Sequence, residues 1–81
     1  MSDPERPEIE LDCRGLACPA PIIELARRYT EVAVGSMLAI AADDPAAGPD
    51  IAAWCRMRGH QLVGRSLADD GVPVFSVRRL S

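Results

Sequence analysis

One cysteine in this chain is set for nucleophilic chemistry. Cys18 stands in Leu11-Asp12-Cys13-Arg14-Gly15-Leu16-Ala17-Cys18-Pro19-Ala20-Pro21-Ile22-Ile23, directly before a proline and an apolar segment of helical period. Proline suits the first position of a helix, because its φ is pre-set and its missing N–H would have lacked an intrahelical partner. Cys18 is therefore expected as the N-cap or first residue of a helix beginning at Pro19. A thiol there meets unpaired backbone N–H groups and the positive end of the helix dipole, and both favour the thiolate. Pro21 works against this, since it leaves one amide fewer to solvate an anion. With no second cysteine three residues on, the site is not a Cys-X-X-Cys redox pair. The spacing predicts a single activated thiol.

The remaining candidates are weighed around it. Cys13 precedes the turn that leads to Cys18; if the two Cα atoms came within about 7 Å, a disulfide or an internal sulfur transfer would be open to them. Otherwise Cys13 is a strand-end thiol without a role. Arg14 would lower the thiol pKa, meet an acidic partner, or stand as an exposed charge. Gly15 supplies an unusual backbone angle for the turn. Asp12 and Asp44 are expected either to line a cleft beside Cys18 or to make turn and capping hydrogen bonds. His60 follows a helix-ending glycine, where it would serve as a cation at the helix C-terminus, or as a base for Cys18 if it reached hydrogen-bond distance. Cys55 and Trp54 fall on an apolar helix stripe and are expected in the core, with Trp54 a partner anchor only if exposed. Cys13, Cys18, Cys55 and His60 have the atom types of a zinc site but not its spacing, so no metal is expected.

The elements that position these residues follow from pattern. Residues 1–8 are polar, acidic and proline-containing without a period and are expected to form a flexible tail before a single domain over residues 9–81. Ile9 to Asp12 alternate as a short strand, and residues 13–17 turn into a helix over residues 19–31 with Ile22, Leu25, Ala26 and Tyr29 on its inner face. Met37 to Ala42 reads as a central strand. Residues 43–49 form a breaker-rich loop, Asp50 opens a second helix, and Gly59 closes it. Residues 61–67 and 74–79 form an antiparallel hairpin about Asp69-Asp70-Gly71. The expected class is α/β (α+β), a two-layer sandwich of order β-α-β-α-β-β, with a mixed four-stranded sheet and two helices on one face.

Composition narrows the function. A chain of 81 residues buries only about 60% of its unfolded surface, so its core is thin and an enclosed cofactor pocket is not expected. The formal charge of −3 argues against sequence-independent binding of nucleic acid. All nine basic residues are arginine, which excludes lysine Schiff-base chemistry and a phosphate-loop lysine. No apolar run approaches the roughly 20 residues that cross a bilayer, and the polar start has no secretory core. Three cysteines, an odd number, suit free thiols in a reducing cytoplasm.

The motif Leu11-Asp12-x-Arg14-Gly15-Leu16-x-Cys18-Pro19-x-Pro21 resembles the signature of the TusA/SirA-like sulfur carrier family. The likeness continues through Gly35-x-x-Leu38, Asp44-Pro45 and Asp50-Ile51-x-x-Trp54-Cys55-x-x-x-Gly59-His60-x-Leu62 to the final strand, so it covers nearly the whole chain. Cys13 falls at a position that the family pattern leaves variable. The resemblance implies a persulfide on Cys18, with Asp12 and Asp44 at acidic positions of the family and no cofactor. It also implies a sulfur donor such as a cysteine desulfurase or a rhodanese-like protein. The acceptor would belong to a relay toward tRNA thiolation, cofactor assembly or sulfur oxidation. Two alternatives stand beside it: a thiol-redox protein pairing Cys18 with Cys13, and a non-enzymatic interaction or regulatory module using the arginine-rich helix faces.

Overall fold

The computed structural model describes residues 6–81 and has the expected element order. Strand β1 (Pro7–Asp12) leads through a turn to helix α1 (Ala20–Arg28), which tightens into a 3-10 turn (Tyr29–Glu31) before strand β2 (Met37–Ala41). Helix α2 (Ala47–Arg58) then precedes strands β3 (Gln61–Leu67) and β4 (Pro73–Arg78). The expected tail lies outside the described residues as far as residue 5, and the chain is already strand at Pro7 rather than at Ile9.

The sheet order is β1-β2-β4-β3, with β1 parallel to β2 and both other pairings antiparallel. Register places Ile9, Leu38, Val77 and Leu62 in one cross-strand row and Leu11, Ile40 and Phe75 in the next. Side chains alternate along a strand, so these two rows share a face. Leu25 of α1 and Ala47, Ile51, Trp54 and Cys55 of α2 join the same cluster, which puts both helices on that face. The opposite face carries Glu10, Ala39, Ser76 and Gly64, then Asp12, Ala41, Val74 and Ser66. It is acidic at one edge and built of small residues at its centre.

Three helix boundaries differ from the expectation, the first being the start of α1 at Ala20, with Pro19 as its N-cap rather than its first residue. The first helix ends three residues early because its last turn narrows to i→i+3 bonds, and its buried positions are Pro21 and Leu25, with Ala26 exposed. The second begins at Ala47, inside the expected loop. There Pro49 is the third helical residue, where no intrahelical N–H is needed, so it does not break the helix.

Gly59 closes α2 in the left-handed conformation at φ 75°, and His60 N–H then bonds back to Cys55 O at 2.9 Å. A Cβ at Gly59 meets open space, so the cost of a side chain there is one of backbone conformation. Gly59→Ala is expected to lose about 1 kcal/mol of stability. Urea unfolding followed by far-UV circular dichroism checks it.

Candidate functional site

Topology brings the starts of the two helices together. Parallel strands β1 and β2 release their chains at the same end of the sheet, and β3 also runs with β2 because β4 is antiparallel to both. Each helix must therefore return against its strands, so α1 and α2 start side by side at the end where β1 and β2 finish. Cys18 lies in the loop entering α1, and Asp44 and Asp50 lie at the entry to α2.

The Cys18 thiol donates a hydrogen bond to Asp50 Oδ2, and its backbone N–H donates to Asp44 Oδ2 at 3.0 Å. Asp44 Oδ1 also accepts from Ala46 N–H at 2.8 Å. These two amides hold the Asp44 carboxyl below its usual range, the Ala46 bond being the stronger influence. Asp44 thus makes turn hydrogen bonds at the entry to α2 and lies beside the Cys18 amide.

The thiol itself is corrected in sign. The hydrogen bond to Asp50, then partial burial, then the charges of Asp50 and Asp44 push Cys18 up to about 11. A helix start was expected to favour the thiolate. Pro19, not Cys18, is the N-cap, α1 has no side-chain cap, and the nearest charges are acidic, so the thiol is the favoured form. The peptide bond between Cys18 and Pro19 is cis.

Arg14 does not reach the sulfur. Its guanidinium is held by Asp70 (Nε to Oδ2, 2.8 Å) in the hairpin turn and by Asp12 (Nη1 to Oδ1, 3.0 Å), which also accepts from Arg14 N–H. Asp12 is thereby drawn away from a direct part beside Cys18, and its carboxyl is lowered by these bonds from Arg14. Gly15 turns at φ 76°, and its N–H donates to both oxygens of Asp43 at 3.1 Å. The loop before the cysteine is accordingly tied to β1, to the start of α2 and to the β3–β4 turn.

Cys13 is 1% exposed in the core, and burial, aided by Glu24 and Asp12, raises its thiol. Cys55 is buried as expected and raised by burial alone. All three cysteines are free, and only Cys18 is not sealed in the interior. His60 is buried at the other end of α2, about 12 Å of helix rise beyond Asp50. It stacks on Trp54, and its Nδ1 accepts from Leu80 N–H at 3.2 Å. Burial, then Arg58 and Arg79, lower its pKa, so it is neither the expected cation nor a base for Cys18.

Asp50 is the site residue that sequence reasoning assigned only to helix capping. A carboxylate in a first helical turn is ordinary; its partner 32 residues away becomes visible only when the helices are placed. Apolar Leu16 and Ile23 are exposed on either side of Cys18 in the chain. A depression of about 550 Å³ lies on the open sheet face between Glu10, Ala39, Ala41 and Ser66; Asp12 and Arg14 are among its walls and Cys18 is not. The site is a surface thiol on a corner, not a group in an enclosed pocket.

Comparison with known proteins gives the family and the fold. The family model described as sulfurtransferase TusA matches residues 9–79. A candidate sulfur carrier protein of Archaeoglobus fulgidus is 39% identical over 69 residues, covering 85% of this chain and 90% of that protein. The sulfur carrier protein TusA of Pseudomonas syringae pv. syringae is 34% identical over 74 residues, 91% of this chain and 87% of that protein. The crystal structure of a SirA-like protein from Desulfitobacterium hafniense shares the fold, with a TM-score of 0.76 at 20% identity over 90% of this chain and 99% of that one. The chain belongs to the TusA/SirA-like family.

Proposed function

We propose that this protein is a sulfur carrier in which Cys18 accepts sulfane sulfur, holds it as Cys18–S–SH and passes it to an acceptor. The observation that carries the reading is the placement of Cys18: of the three cysteines it alone stands clear of the core, on a corner built by residues of the family motif. Transfer follows from thiol chemistry. The Cys18 sulfur attacks the outer sulfur of a donor persulfide, the donor's S–S bond breaks as the new one forms, and the donor leaves as a thiol. Such exchange needs exposure rather than a pocket.

The donor is of the cysteine desulfurase or rhodanese-like class, and the acceptor belongs to a relay toward tRNA thiolation, cofactor assembly or sulfur oxidation, working in the cytoplasm. Relatives named sulfur carrier protein TusA support the sulfur-relay part of this reading. No helix among the described residues is long and apolar enough to cross a membrane. The acidic surroundings of Cys18 favour docking to protein over direct contact with tRNA phosphates. The redox alternative loses support from the burial of Cys13, which an exchange partner of Cys18 would have to leave.

The test is intact mass and peptide mapping after incubation of the reduced protein with polysulfide, or with a cysteine desulfurase and cysteine. Gain of sulfur at Cys18, reversed by reductant, is expected. An unmodified Cys18 together with a Cys13–Cys18 disulfide on mild oxidation would replace this reading with the redox one.

A further inference from the structure

We infer that Asp50 is a latch on Cys18, holding the sulfur as a thiol until a cationic side chain of the docked sulfur donor engages the Asp44–Asp50 pair. The inference rests on the reading of Cys18 as the sulfur-bearing group and adds what controls it. Three observations lead to it. The thiol proton is directed at Asp50 Oδ2, so the group that touches the reacting sulfur is an acceptor. The second carboxyl facing the site, Asp44, is anchored to the Cys18 and Ala46 amides and adds its charge. Arg14, the arginine closest to Cys18 in the chain, is already held by Asp70 and Asp12, and Asp43 is bound to Gly15 N–H. The turn therefore supplies no cation of its own to release the thiolate.

The charge layout fits such a partner. Asp12, Asp43, Asp44, Asp50, Asp69 and Asp70 lie at the end of the sheet where the helices start, and the counter-charges there are Arg14, held by Asp70 and Asp12, and Arg65 of β3, which lies over the Phe75 ring. Arg27, Arg28, Arg56 and Arg58 lie in the last helical turns at the opposite end. A donor approaching Cys18 meets acidic surface, and a basic rim around its persulfide is the complementary one.

The step balances without an outside oxidant. A donor arginine or lysine pairs with the Asp44–Asp50 carboxylates, the hydrogen bond to the thiol is released, and the thiolate attacks the donor's outer sulfur. The donor S–S bond breaks, the Cys18 Sγ–S bond forms, and the departing donor thiolate takes the proton that Cys18 gave up. Once loaded, Sγ has no proton to donate, but the charges of Asp50 and Asp44 remain, and a cysteine whose departing thiolate they disfavour is a poor leaving group toward small thiols.

Asp50→Asn removes the charge and keeps the shape. Near pH 8 its Cys18 is expected to react with iodoacetamide about tenfold faster than the natural protein. A thiol returned toward about 8.5 gains roughly a hundredfold in thiolate fraction, and its weaker intrinsic nucleophilicity takes back about a factor of ten. The natural protein's rate should still climb above pH 9, where the variant's levels off. Equal rates and superimposed profiles overturn the latch, and unchanged circular dichroism shows that the variant is folded. For the partner's charge, two short peptide persulfides serve as donors, one with arginine beside the cysteine and one with glutamate. The arginine peptide should load natural Cys18 about tenfold faster, with the gap shrinking in Asp50→Asn; equal loading by both peptides overturns the cationic trigger. Loading by neither peptide nor polysulfide defeats the carrier reading itself, which the alkylation profiles do not depend on.

Discussion

Cys18→Ser protein is expected to gain no sulfur from polysulfide or from a cysteine desulfurase, whereas Cys13→Ser and Cys55→Ser proteins should load as fully per folded molecule as the natural chain. The loss at position 18 is complete because a hydroxyl oxygen forms no persulfide. It is also clean, since the serine hydroxyl can donate to Asp50 as the thiol does, and the side chain is only half buried. Cys13 is the informative contrast. Its thiol is packed beneath α1 among core residues, and a hydroxyl there has to find a partner in apolar surroundings. Cys13→Ser is expected to cost about 1–3 kcal/mol, the usual penalty for burying an unpaired polar group. Its effect is thus on stability, not on loading. Mass spectrometry on soluble protein, normalised by circular dichroism, separates the two. If Cys13→Ser folds but no longer handles sulfur or oxidant, Cys13 takes part in the chemistry and the single-thiol account fails.

The frame of the molecule was legible in the sequence, and the electrostatics of its site were not. Alternation in β1 and the spacing of Ile51, Trp54 and Cys55 report one-sided burial, the apolar run of β2 reports burial on both faces, and together they led to the correct element order and a mixed sheet, though not to the β2–β4 pairing. The α2 start was hidden by Ala47-Gly48-Pro49, which has the composition of a loop. Gly48 is there because the helix passes close to the sheet: a Cβ would lie 3.2 Å from the Phe75 ring. The partners of Arg14 and Asp50 were not legible, for a common reason. Local sequence shows which charges lie near in the chain, but Arg14 finds Asp70 across 56 residues and Asp50 finds Cys18 across 32. Each long-range pair changes the balance at the thiol in the same direction, one by withdrawing a cation and the other by supplying an anion. His60 was misread because its burial, the first cause of its lowered pKa, and the charge of Arg79 come from the packing of distant segments; only Arg58, two residues away, was visible locally.

Trp54→Ala is expected to lose about 3–5 kcal/mol, the range for truncating a buried aromatic. For 81 residues the whole stability is of the order of 4–12 kcal/mol, so this one substitution brings the chain close to its unfolding threshold. The cause is a three-ring cluster at the end of the core away from Cys18. Trp54 stacks on His60 with centroids 5.1 Å apart and meets Tyr29 edge-on at 5.5 Å, while Arg79 lies 5.4 Å over the Tyr29 ring and donates to Val32 O at 2.7 Å. Trp54→Phe should restore most of the loss, because a ring still fills the site. The cluster also makes stability depend on pH. His60 is lowered by burial and by Arg58 and Arg79, so between the unfolded value near 6.5 and its lower folded value the unfolded chain binds a proton that the folded one refuses. Stability is therefore full above that window and falls as the pH drops through it, and His60→Gln should flatten the slope there. Urea unfolding at several pH values, read by circular dichroism, measures both effects. A Trp54→Ala protein with unchanged midpoint would remove the cluster from the account of the core. Sulfur loading per folded molecule should survive even where stability does not, because the rings seal one end of α2 and the thiol is read at the other.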